Sequence, residues 1–342
     1  MTSGRHLSAA ELPPRGHGSD QRPRRPGFFR RHAARLLPRR LQPLPPGALP
    51  LAASDVAYPR GRPDELRITW IGHSTFLIQA GSLNILTDPM WSRRASPVPW
   101  AGPARLAPPG LPLEALPPID AVLVSHDHYD HLDDATVRRL HARFGDAVRW
   151  FTPGGYTPWF RRRRIRNVTE LAWWAESSLD TPDGPARVVA LPARHWARRS
   201  LIADARRLWA SWALILPGGN AIYFAGDSAY FPGFAEIGER LGPFDASLLP
   251  IGAYEPRWFM QTAHMDPDEA VQAYADLGGR GTFVGMHWGT FRLSNEDPLE
   301  PPHRTRRAWA ARNYPGEDLW ILRHGETRTR RLTVRSPRNA GP

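Results

Sequence analysis

The chain has 342 residues, 41% of them hydrophobic, with 14 Trp, no Cys and a formal net charge of +12. That is enough apolar material for one large domain or two small ones. The absence of thiols excludes disulfides and thiolate metal sites, so any metal must be held by His, Asp or Glu. Every Lys/Arg cation is arginine, and the charge is uneven: residues 1–50 carry ten Arg against Glu11 and Asp20, a net of +8 out of the +12, which leaves +4 for the rest. A basic tail on a nearly balanced body gives little ground for nucleic-acid binding, and none is expected.

No apolar run approaches the ~18–20 residues that span a bilayer. The apolar stretches near the start are broken by Arg35, Pro38, Arg39, Arg40 and Pro43, unlike a secretory signal. The default expectation is a cytoplasmic protein.

In chain order, residues 1–60 are rich in Arg, Pro and Gly without sustained periodicity and read as a disordered or loosely attached arm. A folded domain is expected over 61–335 and a short tail over 336–342. The first strands are Arg67–Ile71, Ser74–Ile78 and Leu83–Thr87, with Ala80-Gly81-Ser82 as a hairpin turn. A long Pro-rich loop over 89–118 follows, then a strand over Asp120–Ser125 and a helix from Asp133-Asp134 to Arg143, stopped by Gly145. Strands are expected at Arg187–Leu191, Trp209–Leu216 and Ala221–Ala225, the last two joined by a turn at Pro217–Asn220. Then come a helix over Pro232–Arg240 and a strand over Ala246–Leu249. Asp266-Pro267-Asp268-Glu269 is a helix start with an Asp cap and a Glu three residues later, and Gly278-Gly279 ends that helix. Thr282–Gly285 returns to strand, and a last helix spans Pro302–Arg312.

The chemistry concentrates in Ser125-His126-Asp127-His128-Tyr129-Asp130-His131, directly after the apolar run Ala121–Val124. His126 and His128 are two apart, so in extended backbone both point the same way and grip one ion. Asp130 and His131 lie beyond a turn and grip a second. Apolar segments also end at His73, His195, Asp227 and His287, and side chains at strand ends are placed by a rigid scaffold on variable loops. Imidazole with carboxylate suits Zn2+, with Fe or Mn as alternatives. Asp227 would bridge two such ions, which at ~3.5–4 Å apart share a hydroxide available near neutral pH as the nucleophile.

His126-x-His128-x-Asp130-His131, followed in order by His195, Asp227 and His287, resembles the metallo-β-lactamase fold superfamily. Carried over residue by residue, the resemblance implies His126, His128 and His195 on a first metal. It puts Asp130, His131 and His287 on a second, with Asp227 between them. It also implies an αββα sandwich of two facing mixed sheets with the site at one edge. The stretches Trp70–Thr75, Thr87-Asp88-Pro89, HDHYDHL from His126, His195-Trp196, Gly226-Asp227, PIGAYEPRWFM from Pro250, His264–Pro267 and HWGTF from His287 narrow it further. They are similar to the N-acylphosphatidylethanolamine-hydrolysing phospholipase D family, over about Leu66 to Pro302.

That family implies hydrolysis of a lipid phosphodiester, with a role in lipid metabolism. By position, His264 is the candidate proton donor to the leaving alkoxide, acting with Asp130 and Asp227 in the reaction. His73 and Asp88 are expected behind the metal ligands, fixing their tautomers. Tyr254 and Glu255 are expected in the site's wall. Trp91, Trp100, Trp159, Phe160, Trp173 and Trp174 are candidates for an amphipathic rim in peripheral contact with a membrane. Arg161–Arg164 reads either as a phosphate dock or as a solvated charge run. Competing readings keep the fold and change the outcome: a lactonase, a nuclease, or a binding protein without turnover.

Overall fold

The computed structural model describes residues 44–45, 47–197, 199 and 207–333. Among the described residues, fourteen strands build two seven-stranded sheets. The first runs in the order β14-β1-β2-β3-β4-β5-β6. Its members are β1 Glu65–Gly72, β2 Thr75–Ala80, β3 Leu83–Thr87, β4 Ala121–Leu123, β5 Arg149–Pro153, β6 Val168–Leu171 and β14 Thr327–Arg331. The second runs β13-β12-β11-β10-β9-β8-β7. It contains β7 Glu176–Leu179, β8 Ala186–Leu191, β9 Ser211–Ile215, β10 Ala221–Phe224, β11 Ala246–Pro250, β12 Thr282–Met286 and β13 Leu319–Trp320.

Alternation along the strands assigns their faces. Ile68, Trp70, Phe76, Ile78 and Ile85 turn to a core shared with Trp212, Phe224, Leu248 and Phe283 of the second sheet. Their neighbours Ile71, Leu77, Leu86, Val122 and Val124 turn the other way, onto Val137 and Leu140 of helix α1, Asp134–Phe144. The first sheet is therefore covered on both sides. Helices α3 Gly233–Leu241, α5 Pro267–Asp276 and α6 Glu300–Ala311 put Phe234, Tyr274 and Trp309 into the larger core. The result is the expected sandwich of two facing mixed sheets with helices outside.

Strand directions decide where function can sit. β1 is antiparallel to β2, and β2 to β3, so β1 and β3 run the same way; β3 and β4 are parallel. In the second sheet β8 and β10 are each antiparallel to β9, and β10, β11 and β12 are parallel. The carboxyl ends of β1, β3 and β4 therefore share one edge of their sheet, and those of β8, β10, β11 and β12 share one edge of theirs.

Helix starts and stops follow local chemistry. Asp266 and Glu269 form a reciprocal capping box on α5. Gly145, at φ +61°, ends α1 in the left-handed region. The short helices α2 Thr157–Arg161 and α4 Arg257–Met260 and the strands β5, β6, β7, β13 and β14 lie outside the sequence expectation.

The expected arm over 1–60 lies outside the described residues up to 43, as does the tail over 336–342. Residues 51–60, however, hydrogen-bond to the domain. Ala52 N donates to His324 O at 2.8 Å. The Gln79 amide accepts from Ala57 N at 2.9 Å and donates to Ala57 O at 2.8 Å, and Asn84 Nδ2 donates to Pro59 O at 2.8 Å. Arg60 forks onto Asp120. Gln79 and Asn84 are buried in the sheet and need partners there, and this segment supplies them.

Candidate metal centre

The two sets of strand ends meet. From β4 come His126, His128, Asp130 and His131; from β8, β10 and β12 come His195, Asp227 and His287. His128 Nδ1 lies 2.8 Å from His126 Nε2 and 3.3 Å from His195 Nε2. Beside this trio, His131 Nε2 is 3.1 Å from Asp227 Oδ2 and 3.3 Å from Asp130 Oδ2. His287 Nε2 is 3.1 Å from Asp227 Oδ1 and 3.6 Å from Asp130 Oδ2. Asp227 Oδ2 also stands 3.8 Å from both His126 Nε2 and His195 Nε2, between the two groups.

Facing ring nitrogens repel through their lone pairs unless a proton or a cation lies among them. Donors on a tetrahedral Zn2+ with bonds of about 2.0–2.1 Å stand about 3.3 Å apart, close to the spacings here. His131 Nε2, His287 Nε2 and Asp227 Oδ1 are buried and have no hydrogen-bond partner, a condition that costs about 1–3 kcal/mol each when uncompensated. These residues fit a metal ion held by His and Asp.

Ionisation leads the same way. Burial disfavours every charged form in the cluster. Against it, Asp227, Asp130 and Asp88 hold His131 well above the usual imidazole range, and Asp227 with Asp130 lifts His287 to about 9. His131 in turn keeps Asp130 and Asp227 well below the usual carboxylate range. Burial wins at His126 and His195, which are pushed far down, at His264, lowered to about 4, and at His73, lowered to about 3. The two carboxylates draw positive charge into the side of the cluster where neutral ligands would meet a cation.

A second ring of contacts sets the tautomers. His131 Nδ1 donates to Asp88 Oδ2 at 2.7 Å, and His195 Nδ1 donates to Ala263 O at 2.9 Å, so both rings turn Nε2 inward. His126 Nδ1 pairs with Ser125 Oγ at 2.9 Å, and Ser125 Oγ donates to Asp88 Oδ2 at 2.6 Å. His73 Nε2 is 2.8 Å from Asp130 Oδ2. His73, Asp88 and His287 all take positive φ, at +57°, +30° and +65°. Such backbone costs a non-glycine residue on the order of 1–3 kcal/mol and here serves to aim side chains.

The other expected residues divide. His264 reaches the cluster: its Nδ1 is buried, without a partner, and 4.0 Å from Asp227 Oδ2. Tyr254 is buried beneath Arg304, and Glu255 accepts from Arg257 N at 3.1 Å. The cavity bordering His287 is lined instead by Ala253, Trp288, Gly289, Phe291 and Glu296. The expected aromatic rim is mostly core. Trp91, Trp159 and Phe160 are buried, and Trp173 and Trp174 pack partly against the core, which leaves Trp100 exposed. Trp196 is exposed beside the cluster, edge-on to His128 at 4.5 Å, and Trp258 and Phe259 are exposed on α4, whose Arg257 donates to His264 O. Arg163 is no phosphate dock, being paired with Asp134 and seated 3.5 Å over Trp159. Arg161, Arg162 and Arg164 are exposed.

Sequence reasoning assigned no role to Ser125, Ala263 or Trp196. The Ala263 contact is made by a backbone carbonyl, which no residue type announces. Ser125, immediately before His126, was open to the same argument that placed Asp88.

Comparisons with known proteins identify the family. The Beta-lactamase superfamily domain matches residues 83–288. N-acyl-phosphatidylethanolamine-hydrolyzing phospholipase D 1 of Caenorhabditis elegans is 41% identical over 259 residues, covering 73% of this chain and 70% of that protein. The mitochondrial N-acyl-phosphatidylethanolamine-hydrolyzing phospholipase D of Saccharomyces cerevisiae is 34% identical over 238 residues, 69% of this chain and 50% of that one. Among solved structures, Igni18, a metallo hydrolase of the archaeon Ignicoccus hospitalis, superposes with a TM-score of 0.58 at 23% identity, covering 79% of this chain and all of that one. With the fold, the ligand cluster and these relatives in agreement, the chain belongs to the metallo-β-lactamase superfamily as a metal-dependent hydrolase homologous to the N-acylphosphatidylethanolamine-hydrolysing phospholipases D.

Proposed function

We propose that this chain is a di-metal phosphodiesterase of phospholipase D type acting on N-acylphosphatidylethanolamine-like lipids. The observation that carries the reading is the position of Asp227, whose carboxylate stands between a three-histidine group and a group of Asp130, His131 and His287. Two Zn2+ ions, or Fe or Mn in their place, would polarise a phosphoryl oxygen there and lower the pKa of a water.

The chain's own residues supply the rest. His126, His128 and His195 present Nε2, Nδ1 and Nε2 to one position; Asp130, His131 and His287 present oxygen and nitrogen to the other. His264 turns an unpartnered Nδ1 toward the same centre; burial lowers its pKa to about 4, so near neutral pH it would pass on to the leaving alkoxide a proton first accepted from the attacking water. Trp196, Trp258 and Phe259 offer apolar surface on which a lipid interface can rest while a head group enters, a peripheral contact only. No helix among the described residues is long and apolar enough to cross a membrane.

The test sets bis(p-nitrophenyl) phosphate, vesicles containing an N-acylated phosphatidylethanolamine, and a simple lactone side by side. Phosphodiester turnover lost with chelator and with Asp227→Ala is the expected result. Lactone cleavage alone would replace this reading with a lactonase.

A further inference from the structure

We infer that Thr290 and His324 are positioning residues of the metal centre, acting through His73 on Asp130 and His287. The inference rests on the di-metal reading above. Both residues lie beyond the matched superfamily segment, which ends at 288.

His73 sits in the turn between β1 and β2 in left-handed backbone, which costs a non-glycine residue on the order of 1–3 kcal/mol. Each polar group of its peptide is held. Its N–H donates to Thr290 Oγ1 at 2.6 Å. Its carbonyl accepts from Trp70 Nε1 at 2.9 Å and from the backbone N–H of His287 at 3.1 Å. The ring then places Nε2 2.8 Å from Asp130 Oδ2, the oxygen that faces both His131 and His287. One residue thus fixes the backbone of one candidate ligand and the carboxylate of another.

The clamp is itself clamped. Thr290 Oγ1 lies 2.8 Å from His324 Nε2. A hydroxyl is a free rotor, and a second partner at this distance decides which way its lone pairs point. His324 is buried, and its ring stacks on Trp70 at 4.3 Å. Around it the chain is tied down by Gly325 N to Trp70 O at 2.7 Å and Trp70 N to Glu326 O at 3.1 Å. A Cβ on Gly72 would meet the His324 ring at 3.0 Å, so the turn carrying His73 is pressed against it. The turn between β13 and β14 is in this way connected through His324, Thr290, the backbone N–H and ring of His73, and Asp130 to the half of the centre formed by Asp130, His131 and His287.

That asymmetry gives the test. Zinc uptake by the full chain is titrated against a chelator buffer for the wild type, Thr290→Val, Thr290→Ser and His324→Phe. Loss of an outer partner of a metal ligand typically weakens metal binding about 10–100-fold. Thr290→Val and His324→Phe are expected to weaken one binding step by that factor and leave the other unchanged, with Thr290→Ser restoring it. A packing role alone would lower thermal stability without separating the two steps. Folded variants that titrate like the wild type overturn the proposal, and His324→Phe decides if Thr290→Val does not fold. A wild-type chain that takes up no zinc overturns the metal reading as well, which sets that failure apart.

Discussion

Asp88 Oδ2 accepts the Nδ1 proton of His131 at 2.7 Å, and the same carboxylate accepts from the Ser125 N–H at 2.7 Å and its hydroxyl at 2.6 Å. One fully buried side chain at the end of β3 thereby fixes both the tautomer of a candidate ligand and the start of the loop that carries four of them. Asp88→Asn cannot accept all three bonds. The expected outcome is about 10–100-fold weaker zinc binding, measured by chelator competition on the purified variant. Asp88→Ala strands three buried donors at about 1–3 kcal/mol each and should show as a lowered denaturant midpoint. Wild-type zinc affinity in Asp88→Asn would show that the tautomer is set elsewhere.

The segment 51–60 should matter to stability. Cutting the chain at residue 60 removes Ala57 from Gln79, Pro59 from Asn84 and Arg60 from Asp120, while Gln79 Nε2 keeps Asn84 and Asn84 Nδ2 keeps Pro118. The Gln79 Oε1 acceptor left without its donor costs about 1–3 kcal/mol. Against a chain starting at residue 44, one starting at 61 is expected to unfold at clearly lower urea concentration. Equal midpoints would mean that these bonds contribute nothing net.

His324 predicts a pH dependence. Burial, with the Arg105 guanidinium beside it, lowers its pKa from 6.5 to about 3. The unfolded chain therefore binds a proton that the folded chain refuses between those values. The neutral ring's contribution is fully present above about pH 6.5 and declines as pH falls toward 3, by up to about 1.4 kcal/mol per pH unit. Subtracting the stability curve of His324→Phe from that of the wild type should isolate this slope between pH 6 and 4. A flat difference would show that the ring is protonated in the fold.

The exposed aromatics should separate lipid from soluble substrates. Trp258 and Phe259 are 40% and 44% exposed on α4 and are not among the candidate ligands. The double change Trp258→Ser and Phe259→Ser is expected to slow turnover of a vesicle-borne phosphodiester severalfold, by analogy with lost interfacial anchoring, while bis(p-nitrophenyl) phosphate is cleaved as before. Equal loss on both substrates would place these residues in the reaction itself.

Much of the fold was legible where pattern and punctuation agree. Short apolar runs bounded by turn residues in β1 to β3, the Asp266–Glu269 capping box and the stop at Gly145 each mark an element locally. Glu176–Leu179 and Thr327–Arg331 were not legible because edge strands need no apolar face on both sides: one reads ESSL, the other TRTRR. The expected ligands converge because each follows an apolar strand. The rim failed for the opposite reason, since a tryptophan in a Pro-rich loop reads the same whether it faces water or, like Trp91, fills the space behind the first sheet. Thr290 and His324 were invisible as a pair because only the closed fold brings residues 34 positions apart together.

The division of the candidate ligands between the sheets has a consequence for synthesis. A nascent chain that has released residues 126–131 carries His126, His128, Asp130 and His131 and nothing to complete them; the remaining three arrive at 195, 227 and 287. Truncated or half-assembled products should be poor scavengers of scarce ions, so cofactor loading would act as a late checkpoint that rewards only chains whose two layers have already closed.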